Sequence, residues 1–285
     1  SQIEPFQINQ ESRVLQMLSV SFDAAIGEIF RTLVGGGTLY MADKDDLLPG
    51  PALVQMLKEN RITTMAISPT ALGAMPDVSG ELTDLKTITV GGEACVQSVA
   101  ERWGRGRRML NAYGPTETTI GATLAVNWDV SSKPPLGHPL DGVKVYVLDR
   151  HLRMVPVGIP GELYIGGVGV TRGYLKRPEL TEESFVPNPF SDDPDERIYR
   201  TGDLVRWLSI GKLDFIGRID QQVKIRGFRI ELGEIETALA KHPSIDQCAV
   251  SVHESNAVKR LVAYIVPEKN HVPDSSSLRT FLKEK

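Results

Sequence analysis

The sequence predicts an α/β protein with three parts: a mostly parallel sheet covered by helices, a β-rich subdomain, and a small α+β domain at the C-terminus. Three observations lead there. Short β-rich runs alternate with helical stretches through the first part of the chain. From about residue 134 the pattern changes to strands and turns, with "VKVYVLD", "GELYIGG", "RIYRTGDLVRWL" and "KLDFIGRI". The 285 residues, 41% hydrophobic and 24% charged, suit one large domain or two smaller ones.

Taken in order, "FDAAIGEIFRTLVGGG" sets Phe22, Ile26, Ile29, Phe30 and Leu33 on one helical stripe, stopped by glycines 35–37. "TLYMA" reads as a strand, "GPALVQMLKENRI" as a helix opened by Pro51, and "TTMAIS" as a strand. "KTITVGGE" is a strand ending in glycines, "CVQSVAERW" a helix, and "RRMLNAY" a returning strand. After Asp220, "QQVKIRGFRIEL" reads as a hairpin, "GEIETALAKH" as a helix, and "IDQCAVSVHE" and "RLVAYIVP" as strands. This places the domain boundary near Asp220, giving 1–219 and 220–285.

A net charge of −4 implies no polyanion such as nucleic acid as partner, and the basic run "RWGRGRR" reads as a solvated helix end. No apolar run is long enough to span a membrane, and the first residues lack the pattern of a signal peptide. Cys95 and Cys248 lie far apart, without metal-ligand spacing, and read as buried thiols of a cytoplasmic protein. The five histidines form no metal pattern.

In parallel sheets, ligands sit beyond the carboxyl ends of the strands. Two polar segments lie at such ends: Gly91-Gly92-Glu93, and Tyr113-Gly114-Pro115-Thr116-Glu117 inside "LNAYGPTETTIGAT". Hydroxyls can donate to phosphate oxygens, and a carboxylate can hold a magnesium ion that those oxygens share. A polar turn with a threonine cap gives the same string.

"FDAAIGEIF", "GGEAC", "NAYGPTETT", "GELYIGGVGVTRGY", "YRTGDLVRW" and "GRIDQQVKIRGFRIELGEIE" occur in one order. Together they resemble the adenylation domains of nonribosomal peptide synthetases, members of the adenylate-forming superfamily, from about Val14 to Val266. The resemblance implies activation of an amino acid with Mg-ATP to an aminoacyl adenylate, releasing pyrophosphate. The acyl group then passes to the phosphopantetheine thiol of a carrier domain, with a condensation domain in the same assembly line.

The same resemblance implies roles for individual residues. Thr116 contacts phosphate and Glu117 holds magnesium. Asn111 and Tyr113 pack beside the adenine, with Gly91, Gly92 and Glu93 against the purine. Asp203 accepts from the ribose hydroxyls, or is simply a turn residue after Gly202, and Arg218 reaches the nucleotide. Asp220 matches the hinge about which the small domain rotates. Gly227 lines the pantetheine approach, or equally serves a hairpin turn. Asp23 is the partner of the substrate ammonium, or a first-turn acid of its helix. Ala24, Gly27, Ala66, Ile88, Val90, Ala112, Ile120 and Gly121 line the rest of the pocket. Their small, apolar character points to a large, mainly uncharged amino acid. Core packing is the competing role for each, and close helix packing for Gly27.

Two departures qualify the resemblance. The family's Gly/Ser/Thr-rich phosphate loop is expected before Val14 and its catalytic lysine beyond Lys285, and neither is in the sequence. The expectation is a fragment of the adenylation domain, inactive by itself. An acyl- or aryl-CoA ligase is the alternative enzyme, against which Asp23 speaks, and a non-catalytic binding module is the alternative outside enzymes.

Overall fold

The computed structural model describes residues 3–220, 222–225, 228–255, 258–268 and 273–283. The chain divides into two compact units, Ser1–Ile219 and Asp220–Lys285.

The first unit begins with a short helix, α1 (Ile3–Phe6), and is built on a seven-stranded sheet. Its elements are β1 (Arg13–Leu15), α2 (Asp23–Val34), β2 (Thr38–Tyr40), α3 (Pro51–Glu59), β3 (Thr64–Ile67), α4 (Pro69–Ala74), β4 (Thr87–Gly91), α5 (Gln97–Gly104), β5 (Arg108–Tyr113), β6 (Thr123–Val126) and β7 (His138–Pro139). The strand order is β2-β1-β3-β4-β5-β6-β7. The pairs from β2 across to β5 are parallel, and β6 and β7 add antiparallel pairs.

The two faces of this sheet differ. Register aligns Met65, Ile88 and Met109 in one row, and Ile67, Val90 and Asn111 in the next. The apolar members pack with Leu53, Val54 and Leu57 of α3, Leu72 of α4, and Ala100 and Trp103 of α5. Each such side chain contributes about 1.5–3 kcal/mol when fully buried, so this cluster dominates the unit's stability. The opposite face carries Ala66, Thr89 and Leu110 in one row, and Gly91 and Ala112 in the next. There Leu110 packs with Phe6, Ile8, Val14 and Leu124.

Helix α2 belongs to this second face. The Arg31 guanidinium lies 4.0 Å over the Phe6 ring, and a Cβ on Gly35 would meet Ile8 Cγ2 at 2.6 Å. The apolar stripe is not what α2 buries: Ile26, Phe30 and Leu33 are 45%, 58% and 57% exposed. The buried side is Ala25, Gly27, Glu28 and Thr32. Polar bonding decides this. Glu28 accepts the N–H groups of Leu18 at 3.0 Å and Met17 at 3.4 Å, and Thr32 Oγ1 donates to the Glu28 carbonyl at 2.6 Å. Burial raises the Glu28 carboxyl to a pKa of about 7, and lowers that of Arg31 to about 10.

The basic run is not a solvated helix end. An Arg102 Nη donates to the carbonyls of Leu72 and Gly73, both at 3.0 Å, closing the C-terminus of α4. Arg107 donates to the carbonyls of Leu82 and Leu85, both at 2.9 Å. Only Arg105 of the run's arginines points fully outward. Cys95 is buried, which pushes its thiol up to about 11, whereas Cys248 is half-buried.

Past β7 the chain forms an antiparallel sheet from β8 (Val143–Leu148), β9 (Gly161–Gly167), β10 (Phe185–Pro187), β11 (Arg197–Trp207) and β12 (Leu213–Arg218), with α6 (Pro178–Ser184) preceding β10. The order is β10-β11-β9-β8, and β12 pairs β11. Ala122 and Leu136 pack with Val147, Leu163, Ile165, Val205 and Leu213, joining the two sheets in one core.

In the second unit a hairpin of β13 (Val223–Ile225) and β14 (Phe228–Ile230) precedes α7 (Leu232–Leu239). A long antiparallel pair, β15 (Ile245–Ser255) and β16 (Val258–Pro267), and α8 (Ser275–Lys283) complete it. Leu232, Leu239, Ile245 and Val250 form its core, with Ile235 and Leu278 against them. Among the described residues no helix is long and apolar enough to cross a membrane.

Candidate active site

β5 stops at Tyr113 because Gly114-Pro115 turns the chain and Pro115 has no N–H to donate. Residues Thr116–Thr118 form one 3₁₀ turn. Thr119 and Ile120 follow in the left-handed region, with φ of 63° and 72°. For β-branched residues that conformation costs on the order of 1–3 kcal/mol each. The loop closes tightly: a Cβ on Gly114 would sit 2.3 Å from the Ile120 carbonyl oxygen. This presents Thr116 to solvent and buries Glu117 and Thr118.

The segment after β9 grips this turn. Thr171 N–H donates to the Glu117 carbonyl at 2.9 Å, Thr119 Oγ1 to the Gly169 carbonyl at 2.6 Å, and the Tyr174 hydroxyl to Glu117 Oε1 at 2.7 Å. Burial first, and then the Glu117 bond, raise the Tyr174 pKa above its ordinary value, so the hydroxyl stays a donor. Among the described residues no group of three or more His, Cys, Asp or Glu could hold a metal. A single buried carboxylate beside an exposed hydroxyl fits magnesium shared with substrate phosphates, rather than a metal caged by protein.

Asp203 lies opposite Arg218 in the β11–β12 register and is 3% exposed. Its Oδ1 accepts from Arg218 Nη1 at 2.8 Å, and its Oδ2 from the Tyr113 hydroxyl at 2.5 Å. Burial, then the negative charge of Asp203, hold the Tyr113 pKa well above 10, so that hydroxyl also remains a donor. Thr201 braces the carboxylate from behind, taking Asp203 N–H at 3.0 Å and donating to the Leu163 carbonyl at 2.7 Å. Each carboxylate oxygen has two acceptor sites, so both retain capacity for a further donor.

Asp23 behaves differently. It is the first residue of α2, whose N-cap is Phe22, and no side chain caps the helix. Its Oδ2 is buried and has no hydrogen-bond partner. A buried carboxylate oxygen without a donor is costly, and an incoming cation removes that cost.

The sheet faces sort the remaining residues. Ala66 and Ala112 lie on the α2 face. Ile88 and Val90 do not: both are fully buried among the helices on the other face. Side chains alternate along a strand, so a shift of one residue reverses the face. Thr89 and Gly91 share the face of Ala66 and Ala112 instead, and sequence reasoning missed Thr89. The signal was the alternation itself, with Thr87 and Thr89 out of phase with Ile88 and Val90. Ala24, Ile120 and Gly121 are half-buried. Gly27 faces the Arg31 guanidinium, whose Nη1 would be 3.1 Å from a Cβ there.

At the strand ends, a Cβ on Gly91 would stand 2.7 Å from the Ala112 carbonyl oxygen, and Gly92 has a φ of 81°. Glu93 Oε1 accepts Thr70 N–H at 2.8 Å, in the first turn of α4. Asn111 lies on the helix-covered face and donates to the Pro135 carbonyl at 2.7 Å, tying down the chain before β7. In the second unit Asp220 Oδ1 accepts Gln222 N–H at 3.1 Å. Gly227 lies outside the described residues.

The family model described as "AMP-binding enzyme" matches residues 1–175, and "AMP-binding enzyme C-terminal domain" matches 234–285. The chain belongs to the AMP-binding enzyme family. It is 52% identical over 282 residues to a linear gramicidin synthase polypeptide of Brevibacillus parabrevis, covering 99% of this chain and 4% of that protein. Among solved structures it is similar to a fused adenylation–PCP di-domain from Klebsiella oxytoca, with TM-score 0.83 and 26% identity over 97% of this chain and 52% of that one. The Vibrio cholerae adenylation domain AlmE, solved with glycyl-adenosine-5'-phosphate, also gives TM-score 0.83 and 26% identity, over 99% of this chain and 55% of that one. Within the family the chain is an adenylation-domain segment of the nonribosomal peptide synthetase kind. It spans about half of these solved chains and a small part of the synthase.

Proposed function

We propose that this segment activates an amino acid with Mg-ATP, forming an aminoacyl adenylate and pyrophosphate. The acyl group then passes to the phosphopantetheine thiol of a carrier domain, in an assembly line that also has a condensation domain. The observation that carries the reading is Asp23, whose buried Oδ2 lacks any hydrogen-bond donor at the start of α2. An α-ammonium group supplies that donor and a compensating charge, whereas an acid without an amine leaves it unsatisfied. This favours an amino acid over the acyl or aryl substrates of related ligases.

In this reading Asp23 anchors the ammonium and so aims the substrate carboxylate at the α-phosphorus. An oxygen–phosphorus bond forms there, the bond to the β-phosphate oxygen breaks, and pyrophosphate leaves. Glu117 and Thr116 hold the metal and phosphate oxygens at the turn. Bound magnesium supplies charge neutralisation on the phosphates. Asp203 takes the ribose hydroxyls on its remaining lone pairs, while Tyr113 and Arg218 keep it oriented. Gly91, Gly92 and Glu93 border the purine. Ala24, Ala66, Thr89, Ala112, Ile120 and Gly121 form the side-chain pocket, whose small residues support a large, uncharged substrate side chain. Room beside Gly27 depends on where Arg31 goes. Asp220 is the hinge of the second unit.

The test is amino-acid-dependent exchange of pyrophosphate into ATP by the full-length chain, over a panel of amino acids and their des-amino analogues. Exchange with amino acids alone, abolished in Asp23→Asn, is the expected result. Equal exchange with des-amino acids would overturn the reading.

A further inference from the structure

Three bonds tie the segment after β9 to the site turn, and they act at different points. Thr171 and Thr119 bond backbone, fixing the path of residues 117–119 against Gly169. The approach requires glycine there, since a Cβ on Gly169 would be 2.6 Å from the Thr118 carbonyl oxygen. Only Tyr174 reaches a side chain: its hydroxyl meets Glu117 Oε1.

Tyr174 is itself held from two sides. Its N–H donates to Thr181 Oγ1 at 2.9 Å in α6. Its ring meets Phe185 edge-on, with centroids 5.6 Å apart, and Phe185 pairs with Tyr199 of β11. The hydroxyl therefore projects from a fixed ring on a sheet-anchored element. A glutamate has three side-chain torsions, and their freedom is lost when it binds a ligand. A donor held on one oxygen removes part of that freedom beforehand. Phenylalanine would reproduce the packing of the ring but would lose the hydroxyl's bonds with Tyr199 and Ser184 along with the one to Glu117.

We propose that Tyr174 is a positioning residue for Glu117: its hydroxyl holds Oε1 so that the carboxylate meets the magnesium of Mg-ATP in a single orientation. This rests on the reading of Glu117 as the metal carboxylate, and the experiment separates the two. Mn²⁺ binding is measured by electron paramagnetic resonance in the full-length chain with a non-hydrolysable ATP analogue. Nucleotide affinity without metal and the thermal midpoint are measured alongside. Tyr174→Phe is expected to raise the Mn²⁺ Kd about ten-fold, the loss of one hydrogen bond to a charged group. Metal-free nucleotide affinity should stay unchanged, and the midpoint should fall by no more than the loss of one buried hydrogen bond allows. Glu117→Gln should weaken Mn²⁺ binding further, and adding Tyr174→Phe to it should then have no effect. If Glu117→Gln weakens binding but Tyr174→Phe does not, the positioning role is wrong and the metal role stands. Full additivity of the two changes also overturns the positioning role. If Glu117→Gln leaves Mn²⁺ binding unchanged, both readings fall.

Discussion

Two aspartates of the first unit are treated in opposite ways. Asp203 has a donor on each oxygen, Arg218 on one and Tyr113 on the other, with Thr201 behind its backbone. Asp23 has a buried oxygen with no donor at all. The first carboxylate is stabilised by the fold and belongs to the scaffold even when a ligand also uses it. The second leaves one buried oxygen that the fold does not satisfy and that, in the proposed reading, an arriving ammonium would. In the proposed reading, the contrast separates a residue that organises a site from one that selects what enters it.

Breaking the first arrangement should have the largest effect on stability. Asp203→Ala takes the carboxylate away from the Arg218 guanidinium, whose side chain is 13% exposed, and from the Tyr113 hydroxyl. Loss of one partner of a buried pair costs about 3–5 kcal/mol, to be read from urea unfolding. A loss under about 1 kcal/mol would show that the cluster does not support the fold.

Asp23→Asn should do the reverse. Pyrophosphate exchange is expected to fall roughly 100-fold or more, the loss of one buried charge pair. The thermal midpoint without ligand should hold or rise, because the bare charge is gone. A midpoint that falls as far as in Asp203→Ala would erase the distinction between the two aspartates.

Glu28, a buried acid of α2, sharpens the comparison through pH. Its folded pKa of about 7 lies above the ordinary 4.5. The folded state therefore holds a proton that the unfolded state has lost. The stability this contributes is fully present below pH 4.5 and disappears as pH rises through about 7. At about 1.4 kcal/mol per unit it amounts to roughly 3 kcal/mol. Glu28→Gln should flatten that slope, so the variant gains on the parent between pH 5 and 8 in matched denaturant curves. Parallel curves would mean that the carboxyl is ionised in both states.

The smallest effect concerns the same helix. Gly27→Ala improves helix propensity by up to about 1 kcal/mol, against the cost of moving the tip of Arg31. That far end is flexible, so a small rise in midpoint is expected. A fall would mean that Arg31 is fixed over Phe6.

Local chemistry in the chain predicted much of this, and its gaps have physical causes. Gly91-Gly92 and Gly114-Pro115 end strands for reasons visible in any such string, so the strand-end segments were legible. The change to antiparallel strands past residue 134 was legible from turn spacing. The face of β4 was not read correctly, because a period of two makes the phase sensitive to one residue. The stripe on α2 misled because hydropathy periodicity does not register the Glu28 bonds that set which side is buried. The bond from Asn111 to the Pro135 carbonyl was not legible, because only the fold brings the two within reach. The Tyr174–Glu117 contact joins residues 57 apart in the chain, a distance no local pattern encodes.

Arg102 and Arg107 carry a consequence for behaviour in salt. Their guanidinium groups are spent on carbonyl oxygens of α4 and the following turn, which bear no net charge. Mobile ions screen charge against charge over a length of about 8 Å at physiological ionic strength, and weaken such short dipolar contacts far less. The exposed Lys58–Glu81 pair, with side chains 42% and 60% accessible, has no such protection. On this flank of the sheet, brine should loosen the ion pair and leave the arginine clasps shut.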